Sequence, residues 1–138
     1  MSGVDRYIDI QASLETVWRL ISTEVGMRQW IEESMKINVR PGGRWHVNRD
    51  GQMISGEVIE IIPHKKMQIS WYEEDSDWVN PTRVTFFLEE NSGGVRVYSI
   101  HEGFEGIGKP NWRQTYQAYE RGWDEHDLLE NLRKCAEE

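Results

Sequence analysis

Cysteine is nearly absent from this chain: Cys135, close to the C-terminal end, is the only one. That excludes a disulfide framework and a multi-cysteine metal site, and it fits a reducing, cytoplasmic setting. Positive charge is also scarce. Sixteen Lys and Arg against twenty-four Asp and Glu leave a formal net charge of −8, which disfavours a phosphate-backbone partner, because such affinity comes from cations that displace counterions. No stretch approaches the roughly 20 apolar residues of a membrane span, and Met1 to Asp9 holds no apolar signal core. The expectation is therefore one soluble domain over residues 1–138, with no nucleic-acid partner and no membrane span. Catalytic signatures are missing too. There is no nucleophile elbow, phosphate loop or HExxH helix, and Glu125-His126 lacks a second ligand at helical spacing. Neither a metal nor a cofactor is expected.

What the chain does have is aromatic residues near its end. Trp112, Tyr116, Tyr119 and Trp123 recur at spacings of four, three and four, which places them on one face of a helix. The later Leu128, Leu129, Leu132 and Ala136 centre well round the cylinder from that row. The aliphatic face reads as core. Rings with polar tips read either as the lining of a ligand cavity or as solid core.

Ahead of this helix, Val4, Tyr7, Ile8 and Ile10 suggest a strand. Ser13 then caps a helix through Leu14, Val17, Trp18, Leu20 and Ile21, and a second short helix runs from about Thr23 to Ile31. The middle is extended. Arg44 to Arg49, Met53 to Ile62, Met67 to Tyr72, Thr82 to Glu89 and Val95 to His101 lie between turn signals, of which Asp50-Gly51 is the clearest hairpin turn. Apolar residues on one parity, as in Met67, Ile69 and Trp71 or Val84, Phe86 and Leu88, show that one sheet face is covered. The final helix is the cover. Asn111, with Gln114 three residues later, predicts a capping box, and Trp112 to Lys134 as one helix would span about 33 Å, enough to cross the sheet.

The order of these elements resembles the START and birch-allergen superfamily, also called SRPBCC or the helix-grip fold. The nearest likeness is to the domain similar to the C-terminal part of the heat-shock-protein-90 (Hsp90) ATPase activator. The resemblance is carried by Ile10-x-Ala12-Ser13-x-Glu15-x-Val17-Trp18, Trp30, Pro41-Gly42-Gly43, Gly56-x-Val58-x-Glu60-Ile61-x-Pro63, Trp71, His101-Glu102-Gly103-Phe104 and Gly122-Trp123. It covers nearly the whole chain. It implies an α+β helix-grip fold, with a curved antiparallel sheet of about six or seven strands around a long C-terminal helix and two short helices after the first strand. It also implies a cavity between sheet and helix.

Candidate site residues follow from that placement. If His101 lies on the inward parity, Ser99 points the same way, and the two form a polar pair at the end of an apolar strand face. A buried imidazole without a carboxylate partner sits neutral at pH 7, able to donate one hydrogen bond and accept another. His101 is thus either a ligand anchor or a satisfied structural residue. The candidate ligand-binding set is Trp45, Trp71, Ser99, His101, Trp112, Tyr116, Tyr119 and Trp123. Trp78 sits in an acidic loop, and Glu73, Glu74, Asp75 and Asp77 read as a solvated turn rather than a calcium loop. Gly103 to Pro110 is a plain connection or a gate.

The expected function is binding of a small apolar, aromatic or lipid-like ligand in an internal cavity. Two alternatives stand beside it: a chaperone-regulating or stress-related protein-interaction module, with a chaperone or other protein as partner, and a cyclase or dehydratase that uses His101. The enzyme needs a second titratable group facing the cavity, for which Glu60 and Tyr116 are the candidates.

Overall fold

The computed structural model describes residues 3–138. Strand β1 (Val4–Ile10) leads into helices α1 (Leu14–Ser22) and α2 (Glu24–Trp30). Six further strands follow: β2 (Lys36–Ile37), β3 (Arg44–Arg49), β4 (Gln52–Ile62), β5 (Lys66–Glu73), β6 (Thr82–Asn91) and β7 (Gly94–Glu102). A short 3-10 turn, Phe104–Ile107, then connects to α3 (Trp112–Glu125) and α4 (Leu128–Glu137). The seven strands form one antiparallel sheet in the order β1-β7-β6-β5-β4-β3-β2, so the first strand closes one edge against the last. This is the expected α+β helix-grip arrangement.

Local chemistry accounts for the element ends. The Ser13 and Thr23 side chains accept from the backbone N–H of Thr16 and Gly26, which caps α1 and α2. Asp50 and Gly51 both take positive φ, 52° and 87°, as the β3–β4 hairpin turn requires. Gly56 serves a different need. A Cβ there would lie 2.0 Å from the Ser70 carbonyl oxygen and 2.6 Å from Trp45 Nε1, because the Trp45 indole crosses this point to donate to Ser70.

The covered face is continuous. Val84, Phe86 and Leu88 of β6 pair directly with His101, Ser99 and Val97 of β7, and all six are buried. The neighbouring strands extend this layer with Met67, Ile69 and Trp71, then Ile54 and Val58, then Trp45 and Val47. Trp78 is buried too, at 6% exposure, with its ring against Tyr72 and Tyr119. Its acidic neighbours stay in solvent while the indole folds back.

The C-terminal helix departs from the sequence expectation in two ways. It is interrupted at Asp127, whose backbone is left-handed (φ 46°, ψ 56°) and whose side chain accepts from Glu130 N–H as a new N-cap. The interruption lets the aromatic row of α3 and the aliphatic row of α4 both face the sheet. Asn111 precedes α3 as expected, but its side chain makes no capping bond. Its backbone lies at φ −96°, ψ 24°, away from the usual extended N-cap geometry, and the capping box does not form. Among the described residues, no helix is long and apolar enough to cross a membrane.

Candidate functional site

Strand β7 carries His101, near its C-terminal end, onto the covered face, fully buried. Trp123 Nε1 of α3 donates to His101 Nδ1 at 3.2 Å, and His101 Nε2 lies 2.7 Å from Thr82 Oγ1. Because Trp is only a donor, Nδ1 must be the acceptor, and the ring proton sits on Nε2. Nε2–H therefore donates to Thr82, whose own hydroxyl donates to the Trp71 carbonyl at 2.9 Å. Both ring nitrogens are used. Burial pushes the imidazole pKa down to about 3, so the ring is neutral at pH 7. Phe104 and Tyr119 pack on it with ring centroids 4.7 and 4.9 Å away. His101 thus fastens α3 to the sheet and has no free nitrogen with which to exchange a proton.

Around this anchor the interior is filled by rings. Trp45 lies 5.3 Å from Trp71, and Trp71 lies 6.2 Å from Tyr119 in an edge-to-face arrangement. Ser99, one step along β7 from His101 on the same face, is buried with its Oγ unpartnered. Phe86 and Arg6 flank it on the adjacent strands.

The open space lies to one side of the ring cluster. A cleft of about 390 Å³ separates the β3–β4 hairpin and the end of β5 from the junction of α3 and α4. On the sheet side it is lined by Arg49, Asp50, Gln52, Ile54, Trp71 and Glu73, and on the helix side by Ala118, Tyr119, Gly122, Trp123, His126 and Leu128. Its walls are mixed, with rings from Trp71, Tyr119 and Trp123 beside Ile54 and Leu128 and a polar rim of Arg49, Asp50 and His126. Its polar end is Glu73. There the Tyr119 hydroxyl donates to Glu73 Oε2 and accepts from Trp71 Nε1 at 2.9 Å, while Gln52 Nε2 donates to Glu73 Oε1 at 3.1 Å. Burial, reinforced by the Glu73 carboxylate, raises the Tyr119 pKa, which keeps the phenol protonated and donating. A broader trough of about 940 Å³ lies on the outer face of β3, β4 and β5, bordered by exposed polar side chains such as Arg44, His46 and Glu57.

Of the eight residues singled out from sequence, the structure brings Trp71, Tyr119 and Trp123 together on the cleft. Trp45, Ser99 and His101 are buried away from the cleft, and Trp45 also borders the outer trough. Trp112 and Tyr116 are half-buried further along α3, with Tyr116 against Phe104 and its hydroxyl 3.2 Å from Glu120. Glu73 is the principal residue missed. The acidic run around it suggests a solvated turn, yet Glu73 ends β5 and continues the inward parity of Met67, Ile69 and Trp71 by one step. That alternation was the available signal.

The chain matches the family described as activator of Hsp90 ATPase homolog 1-like protein over residues 11–137. Among solved structures it is similar to a protein of Mesorhizobium loti (23% identity, TM-score 0.77, covering 96% of this chain and 95% of that one). It is also similar to the Aha1 dimer of Colwellia psychrerythraea (18% identity, TM-score 0.80, 99% and 97%) and a protein of Bacillus halodurans (23% identity, TM-score 0.74, 99% and 98%). No curated protein matches it in sequence. The chain belongs to the activator of Hsp90 ATPase homolog 1-like family.

Proposed function

We propose that this member of the activator of Hsp90 ATPase homolog 1-like family binds a small, mostly apolar ligand in the cleft between the β3–β4 hairpin and the α3–α4 junction. The observation that carries the reading is the composition of that cleft. Rings from the sheet (Trp71) and from the helix (Tyr119, Trp123) wall a recess of about 390 Å³ with a hydrogen-bonded carboxylate at one end, and recesses of roughly 300–1,000 Å³ of this make suit small-molecule ligands. The polar end is Glu73 with Gln52 and Tyr119. Ser99 and His101, the anchors expected from sequence, support the wall from behind. The cyclase or dehydratase reading loses its base at His101, whose nitrogens are both bonded and whose pKa is about 3. The family description supplies a second reading, regulation of a chaperone ATPase through the surface, and a cleft-filling variant separates the two because it leaves such a surface intact.

Gly122 provides that variant. It lies on the helix wall of the cleft, and a Cβ added there meets only His126 Cδ2, at 3.8 Å. Gly122→Leu should fill the cleft while raising helix propensity by roughly 0.5–1 kcal/mol. Binding of the neutral fluorophore N-phenyl-1-naphthylamine is expected in the wild type and should weaken at least about tenfold in Gly122→Leu, with an unchanged or higher melting temperature. Equal binding by both proteins would place the ligand elsewhere.

A further inference from the structure

We propose that the cleft selects cations: its ligand is an aromatic or apolar amine whose ammonium group is held by Glu73. The inference rests on the binding reading above and adds the sign of the charge that the ligand carries. Glu73 is half-buried at the cleft end of β5. Both of its close partners, Tyr119 and Gln52, are neutral donors. Among the described residues its carboxylate makes no ion pair; the guanidinium of the cleft, on Arg49, has its Nε 3.7 Å from Glu32 and is near enough to oppose the rise in the Tyr119 pKa. Asp50 adds a second negative charge on the hairpin turn, and His126 is exposed on the opposite rim. Each Glu73 oxygen has one close donor and so retains acceptor capacity toward the cleft.

The rings favour the same sign. Trp71, Tyr119 and Trp123 line the cleft, and an aromatic face attracts a cation within about 6 Å of its centroid. A ligand carboxylate would meet the negative charges of Glu73 and Asp50, and the cleft's one guanidinium, on Arg49, already has Glu32 beside it. An ammonium would complete a half-buried carboxylate that otherwise has only neutral donors. The chain's net charge of −8 attracts the same class of ligand at longer range.

Three indole probes that share one ring system test this: tryptamine (ammonium), tryptophol (hydroxyl) and indole-3-propionate (carboxylate), each displacing N-phenyl-1-naphthylamine at pH 7 in low salt. Tryptamine should displace the fluorophore at a concentration about tenfold lower than tryptophol, with indole-3-propionate weakest. Glu73→Gln should bring tryptamine to the tryptophol level and leave tryptophol within about twofold. Asp50→Asn, on an exposed turn position that Asn tolerates, should weaken tryptamine alone by about two- to threefold, and it carries the test if Glu73→Gln misfolds. Equal displacement by tryptamine and tryptophol, or a preference that survives Glu73→Gln, overturns the charge assignment and leaves the cleft standing as a binding site. Failure of N-phenyl-1-naphthylamine itself to bind overturns both readings.

Discussion

At His101, a buried polar residue is satisfied without a charged partner. Burial holds the imidazole neutral by lowering its pKa to about 3 from an ordinary 6.5, so below pH 6.5 the unfolded chain takes up a proton that the native ring refuses. The sign is fixed: the stability present above pH 6.5 is lost as pH falls from 6.5 toward 3. The rate approaches about 1.4 kcal/mol per pH unit for one proton. Urea unfolding between pH 7 and 5, above most carboxylate titration, should therefore give a steeper loss in wild type than in His101→Gln, by close to one proton. The variant itself should start roughly 1–3 kcal/mol lower from disrupted bonds to Trp123 or Thr82. Parallel pH curves would show that His101 is not the buried titrating group. Strand parity alone makes the burial of His101 legible, and the absence of a nearby carboxylate makes its neutrality legible. Its partners are not legible, because Thr82 and Trp123 stand 19 and 22 residues away and meet it only through the register of β6 and the seating of α3.

At the level of elements, the C-terminal helix shows why a break can serve packing better than continuity. A continuous helix would carry the aromatic row and the leucine row on different sides, at about 100° per residue, and could not press both on one sheet. Asp127 resolves this with a left-handed backbone and a side chain that caps α4. Asp tolerates that conformation better than most residues, since its short polar group bonds locally. Asp127→Asn should thus leave stability within about 0.5 kcal/mol, whereas Asp127→Ala, which loses the cap and suits the left-handed region poorly, should cost roughly 1–3 kcal/mol in urea unfolding. Equal effects would mean that the break is imposed by packing alone. The break was spelled in the sequence: Asp127-Leu128-Leu129-Glu130 has the spacing of a capping box, as Asn111 and Gln114 do. Only the first spelling is used, and only in half: Asp127 accepts from Glu130 N–H, while the Glu130 carboxylate turns to Arg133 and the Asn111 side chain makes no cap bond at all. Pattern marks where a cap can form, and the incoming chain decides whether it does.

Across the whole molecule, the parts are held unequally. Leu128, Leu129, Leu132 and Ala136 of α4 belong to the continuous core, whereas in α3 only Trp123 is fully buried. The rest of α3 is held by separate contacts: Trp123 to His101, Tyr119 to Trp71 and Glu73, and Arg6 to Asp124 at 2.7 Å. The exposed Arg6–Asp124 pair adds little. The order of elements could be read along the chain because turn signals and alternation are local. The cleft could not, because its walls come from residues 49–54, 71–73 and 118–128 and exist only once the sheet has curved. The helix that closes the cleft is therefore the one with the fewest buried residues for its length. Segments with little buried apolar surface open at free energies below that of global unfolding. Native-state hydrogen exchange should show α3 amides exchanging at least about tenfold faster than those of α4 and β7. Saturation with a cleft ligand such as N-phenyl-1-naphthylamine should slow α3 selectively, since the ligand bridges Trp71 on the sheet to Tyr119 and Trp123 on the helix. Uniform exchange across both helices, unchanged by ligand, would mean that α3 opens only when the whole molecule unfolds.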